Sequence, residues 1–83
     1  MARQVRWSEE SRADIRALDK TTATRVHESI TRFAATGQGD IKRLKGAAGE
    51  LRLRVGDWRV RFSYEPDGSI LIHTVRHRRE ADR

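Results

Sequence analysis

Apolar and polar positions alternate strictly from Glu50 to Tyr64. Leu51, Leu53 and Val55 alternate with Arg52 and Arg54; after Gly56-Asp57, Trp58, Val60, Phe62 and Tyr64 alternate with Arg59 and Arg61. A period of two describes a strand with one face in a core and the other outside. Gly-Asp between two such runs is a two-residue hairpin signal, because the primed turns need positive φ and glycine supplies it at little cost. The turn sets the register: Val55 opposite Trp58, Leu53 opposite Val60, Leu51 opposite Phe62. On the other face Arg54 meets Arg59 and Arg52 meets Arg61. Like charges directly opposite destabilise a sheet by some tenths of a kcal/mol per pair. Four arginines on one sheet face therefore point to selection for an anionic partner.

The segments before the hairpin follow a different rhythm. Arg3–Trp7 reads as a short strand with Val5 and Trp7 on one side. Ser8 is placed as an N-cap, with Glu9 and Glu10 in the first turn where the helix dipole favours negative charge. The first helix is expected to reach about Leu18 and to bury Ile15 and Leu18, with Trp7 as a hydrophobic staple. Asp19–Thr22 carries capping residues and reads as a break. A second helix then runs to about Thr36, with Val26, Ile30, Phe33 and Ala34 on one stripe and Arg25, Glu28 and Arg32 off it. Gly37 suits the C′ position that ends a helix, and the short break predicts an antiparallel helix pair. His27 lies beside the stripe, as a surface or boundary residue.

Asp40–Gly49 reads as a basic connector that turns into the sheet. Its Gly46-Ala47-Ala48-Gly49 run has neither the spacing nor the following helix of a phosphate-binding loop. Pro66-Asp67-Gly68 is a turn, proline presetting φ and glycine taking the left-handed position. Ser69–Val75 is the last strand. A three-residue loop would place Ile70, Ile72 and Thr74 in the core and His73 beside Arg61, and a slip of one residue would swap the faces. The expected order is β-α-α-β-β-β: one α+β domain over residues 1–83, with two N-terminal helices packed on one face of a small, mostly antiparallel sheet.

Charge sharpens this picture. The 83-residue chain has a net charge of +6. Much of the excess lies between Ile41 and Tyr64, where Lys42, Arg43, Lys45, Arg52, Arg54, Arg59 and Arg61 face only Glu50 and Asp57. A clustered basic face suits nucleic acid or an acidic protein; the alternative is a solvated face that keeps a small protein in solution. There is no cysteine, hence no disulfide and no thiolate metal site. No apolar run approaches the roughly 20 residues of a membrane span, and no signal peptide opens the chain, so a cytoplasmic protein is expected. The acids are scattered and the histidines lack zinc-like spacing, so neither metal nor cofactor is expected.

The arginines, with Lys45, Arg78 and Arg79, would form a phosphate-binding surface if they converge. RNA cleavage would further need a base near the 2′-hydroxyl and an acid near the leaving oxygen. Arginine is a poor base, and His73 and His77 are the residues of suitable type nearby.

Leu44-Lys45-Gly46, the run ELRLRVGDWRVRFSYE, the closing VRHRRE and the opening VRWSEESRADIRAL together resemble the RelE/ParE superfamily of toxins from type II toxin–antitoxin pairs. The phrases RVGDWRV and HRRE are closer to the RelE branch. The resemblance implies a metal-independent mRNA endonuclease acting in the ribosome, in which the 2′-hydroxyl attacks the adjacent phosphate to leave a 2′,3′-cyclic phosphate. It implies catalytic roles for Arg52 and Arg54, contact of Arg59 with the scissile phosphate and stabilisation of the leaving group by Arg78. Lys45, Arg61, His77 and Arg79 are then expected to bind RNA around them. Asp82 stands where many RelE-like toxins have a tyrosine. Two other readings stay open: a ParE-like inhibitor of DNA gyrase, and a relative that only binds its antitoxin or RNA. All three imply an acidic antitoxin that wraps the domain.

Overall fold

Strand β1 (Val5–Trp7) leads into helices α1 (Glu9–Arg16) and α2 (Lys20–Thr36), followed by strands β2 (Asp40–Arg43), β3 (Glu50–Val55), β4 (Trp58–Tyr64) and β5 (Ile70–His77) and a single closing turn, α3 (Arg78–Ala81). This is a computed structural model, and it describes residues 2–46 and 49–81. The strands form one sheet in the order β1-β5-β4-β3-β2. β1 runs parallel to β5 and every other pair is antiparallel. The α+β architecture expected from the sequence is the one observed.

The hairpin register is as the alternation requires: Leu51, Leu53 and Val55 pair with Phe62, Val60 and Trp58, and Arg52 and Arg54 with Arg61 and Arg59. Gly56 sits at φ 58 and Asp57 keeps a negative φ, the φ pattern of a turn with glycine first. In the Pro66-Asp67-Gly68 turn, Gly68 takes φ 87. There the Asp67 carboxylate accepts from the Ser69 hydroxyl at 2.6 Å and from its backbone N–H at 2.9 Å. Those bonds, the hydroxyl's first, lower the Asp67 pKa.

α2 lays Val26, Ile30, Phe33 and Ala34 on the sheet, over Leu53, Val55, Val60, Phe62, Ile70, Ile72 and Val75. Phe33 and Phe62 pack with ring centroids 5.2 Å apart. The helix ends at Gly37, whose φ of 76 is the left-handed cap expected. Its start is earlier than the sequence suggested. The break shrinks to Ala17–Asp19, because the Asp19 carboxylate caps the N–H of Thr22 at 3.0 Å and so makes Lys20–Thr22 the first turn.

Helix α1 has a second task. β1 reaches along β5 only as far as Ile72, and α1 takes over the exposed strand edge beyond it. The N–H of Ser8 donates to the Ile72 carbonyl at 3.0 Å. The Ser8 hydroxyl caps the N–H of Ser11 and donates to the His73 carbonyl at 2.9 Å. Asp14 accepts from the N–H of Val75 at 2.9 Å. An unpaired edge is thus satisfied by side chains of a helix. Trp7 does not staple this helix. The position it would grip is the exposed Arg12, and its ring stacks on His27 of α2 at 5.8 Å and 8°.

Two expectations are corrected. The segment after Gly39 is a fourth antiparallel strand, β2, paired from Asp40 opposite Arg54 to Arg43 opposite Leu51. Its DIKR sequence is too short and too polar to show an alternating pattern, and its register is set by its neighbour. The second correction concerns β5. Phe62 pairs with Ile72 but Arg61 pairs with Thr74, so one residue, His73, is extra. This bulge returns Val75 to the core and puts Thr74 on the opposite face, beside Arg61. Ile70 and Ile72 are in the core as expected.

Candidate nucleic-acid interface

The face of the sheet away from α2 carries two lateral rows of polar side chains, one residue from each of β2, β3, β4 and β5. Register places Lys42, Arg52, Arg61 and Thr74 in one row and Asp40, Arg54, Arg59 and Arg76 in the next. The backbone thus gathers all four hairpin arginines on one surface, as the alternation requires.

The structure adds the acids that hold them. Arg52 is 3.5 Å from Asp40, and Arg61 is 3.4 Å from Glu50. Arg76 pairs with Asp14 at 3.1 Å and with Glu10. Its guanidinium pKa is raised, first by the Asp14 hydrogen bond, then by the charges of Asp14 and Glu10. Arg59 folds back on the turn and donates to the carbonyls of Gly56 at 2.9 Å and Trp58 at 3.1 Å. Arg54 is exposed and has no ion-pair partner among the described residues. Asp40 is the exposed member of its pair with Arg52, and a carboxylate so open to solvent is one that a polyanion can displace.

Arg52 and Arg61 differ from ordinary surface arginines. Their side chains are 20% and 39% exposed. The Nε atoms of both, and the hydroxyl of Thr74, are covered and have no hydrogen-bond partner among the described residues. These three groups stand in line across β3, β4 and β5. A buried donor left unpaired costs about 1–3 kcal/mol. A guanidinium that turned outward to an anion would relieve that cost.

The other residues singled out in the sequence lie at the margins. Lys45 follows β2, at the end of the hairpin opposite Gly56-Asp57. Arg78 lies at the turn end, its N–H donating to the Asp57 carbonyl at 2.7 Å and its Nε 3.8 Å from the Asp57 carboxylate. β3 separates the two ends by about 20 Å, at roughly 3.3 Å per residue. His77 packs its imidazole edge-on to Trp58 at 5.4 Å and accepts the N–H of Arg79 at 3.3 Å. Arg79 is exposed. Asp82 falls outside the described residues, as do Ala47 and Ala48 of the connector.

Sequence reasoning missed one contact. Ser63 and His73 are hydrogen-bonded, Oγ to Nε2, at 2.7 Å. Ser63 lies between Phe62 and Tyr64, both on the helix side, so the pair is on the arginine face. Period two in β4 places Ser63 there; the bulge that brings His73 to it has no signature in the sequence. Among the described residues no group of three or more His, Asp or Glu is placed to hold a metal, and no helix is long and apolar enough to cross a membrane.

The family described as the ParE toxin of the type II toxin–antitoxin system parDE matches residues 5–82, nearly the whole chain. The chain therefore belongs to the ParE toxin family of the RelE/ParE superfamily, and it is a toxin of a type II toxin–antitoxin system. Solved structures share the fold. A chain of the RelB–RelE antitoxin–toxin complex from Methanococcus jannaschii is 21% identical, covers 93% of this chain and 94% of its own length, and superposes with a TM-score of 0.76. The archaeal RelE–RelB complex from Pyrococcus horikoshii gives 24%, 94%, 97% and 0.77. The toxin–antitoxin complex RelBE2 from Mycobacterium tuberculosis gives 22%, 93%, 99% and 0.72. No curated protein matches the chain.

Proposed function

We propose that this toxin is a ribosome-dependent mRNA endonuclease that stops translation in the cytoplasm and is held in check by an acidic antitoxin. The observation that carries the reading is the row of Arg52 and Arg61, adjacent across β3 and β4 with covered and unpaired Nε groups. Two guanidinium groups side by side suit a phosphate that gains charge as a fifth oxygen approaches it. In the reaction the 2′-oxygen bonds to phosphorus, the bond to the 5′-oxygen breaks, and a 2′,3′-cyclic phosphate and a 5′-hydroxyl remain. Arg52, Arg54, Arg59 and Arg61 stabilise the charge on the non-bridging phosphate oxygens. Arg78 at the turn end stabilises the leaving oxygen, with Lys45, His77 and Arg79 along the RNA on either side.

An antitoxin partner is supported by the structural neighbours, which are chains of toxin–antitoxin complexes. Acidic residues from such a partner would compete with RNA for the arginines that Asp40 and Glu50 already hold. A second reading, inhibition of DNA gyrase, is favoured by the match to the ParE toxin family. Controlled expression of the chain without its antitoxin separates them. The endonuclease arrests translation and creates new RNA 5′ ends within translated messages, and Arg52→Gln removes those ends. A gyrase inhibitor damages DNA while messages stay intact.

A further inference from the structure

We propose that His73, held by Ser63 within the β5 bulge, is the catalytic base of the arginine face. This rests on the endonuclease reading and supplies what that reading lacks, a group able to accept the 2′-hydroxyl proton. Three observations converge on this residue. First, the bulge between Arg61/Phe62 and their partners makes His73 the extra residue of β5. Bulges re-aim side chains and recur beside active sites. Second, the residue is held at both side chain and backbone. Its Nε2 is 2.7 Å from the Ser63 hydroxyl, and its backbone carbonyl accepts from the Ser8 hydroxyl of α1 at 2.9 Å. Third, the next residue, Thr74, ends the line of covered, unpaired polar groups that starts at Arg52 and passes through Arg61. The imidazole therefore lies on the same face as the two guanidinium groups best suited to hold a phosphate, one residue along β5 from the end of their line.

The charged groups around it are Arg61 on β4, with Glu50 behind it, and Arg6 on β1, one residue short of Trp7 opposite Ile72. On α1, Glu10 and Asp14 are engaged by Arg76. With RNA on this face, a nitrogen of the neutral imidazole takes the proton of the 2′-hydroxyl as its oxygen bonds to phosphorus. The electron pair of the P–O5′ bond leaves on the 5′-oxygen, which takes a proton from water. The imidazolium then returns its proton to the hydroxide so formed, and the chain is unchanged. Ser63 is a positioning residue: its hydroxyl, hydrogen-bonded to Nε2, fixes the ring.

The test is single-turnover cleavage of a message on programmed ribosomes between about pH 5 and 9, a window that brackets the ordinary histidine range. The wild-type rate falls at the acid end as an imidazole takes up a proton. His73→Gln and His73→Asn, two neutral side chains that keep a polar group toward Ser63, each lower the rate by about 100-fold or more and abolish the acid limb. Ser63→Ala lowers the rate less, and Ser63→Thr, which keeps the hydroxyl, restores it. His27→Gln, on the exposed side of α2, leaves rate and profile as they were. Thermal melts confirm that each variant is folded. A folded His73 variant that retains the acid limb and cuts within about threefold of wild type overturns the proposal. A folded wild-type chain that leaves the message whole overturns the endonuclease reading beneath it.

Discussion

On one side of the sheet Leu53, Val55, Val60, Phe62, Ile70, Ile72 and Val75 are buried under α2. On the other, from the same strands, Arg54 opposes Arg59 and Arg52 opposes Arg61, and the covered Nε atoms of Arg52 and Arg61 have no partner among the described residues. The first face gains stability from every residue it buries. The second gives some back through like-charge pairs and unpaired donors. Sheets need only one buried face to hold together, so the other is free to serve binding. On the proposed reading the helix side supplies stability and the arginine side activity, and substitutions can tell whether that division holds.

The largest effect belongs to the buried face. Phe62 is 1% exposed and packs against Phe33. Phe62→Ala is expected to cost about 3–5 kcal/mol, a large part of the stability of a domain this small, and urea unfolding will read it. A smaller effect arises where the two sides meet. Ser8→Ala removes the α1 cap and the bond to the His73 carbonyl. Its expected cost is about 1–2 kcal/mol, again read by urea unfolding. The smallest has the opposite sign. Arg54→Gln relieves the repulsion opposite Arg59 and leaves stability unchanged or a few tenths of a kcal/mol higher, while message cleavage falls. An Arg54→Gln protein that unfolds more readily would break the comparison.

How far these assignments could be read from the sequence differs by region. The hairpin and α2 were legible because each carries a single clean period, and their caps and turn are local chemistry: Gly37, Gly56 and Gly68 all take the positive φ their positions require. β2 was not legible, because four residues with one apolar side chain carry no period and the strand exists by pairing with β3. The β5 bulge was not legible either. It depends on α1 holding the strand edge through Ser8 and Asp14, contacts that span more than 60 residues of chain. The candidate site divides along the same line. Arg52, Arg54, Arg59 and Arg61 follow from alternation. The carboxylates that hold Arg52 and Arg61, and the Ser63–His73 pair, follow from tertiary placement.

The endonuclease reading stands on one measurement above the rest, the mapping of RNA 5′ ends after controlled expression of the chain without antitoxin. Cells expressing the wild-type chain are expected to gain 5′ ends inside translated messages, and cells expressing Arg52→Gln at equal level are expected to gain none. Growth arrest with intact messages, or cleavage that Arg52→Gln leaves undiminished, would contradict the account.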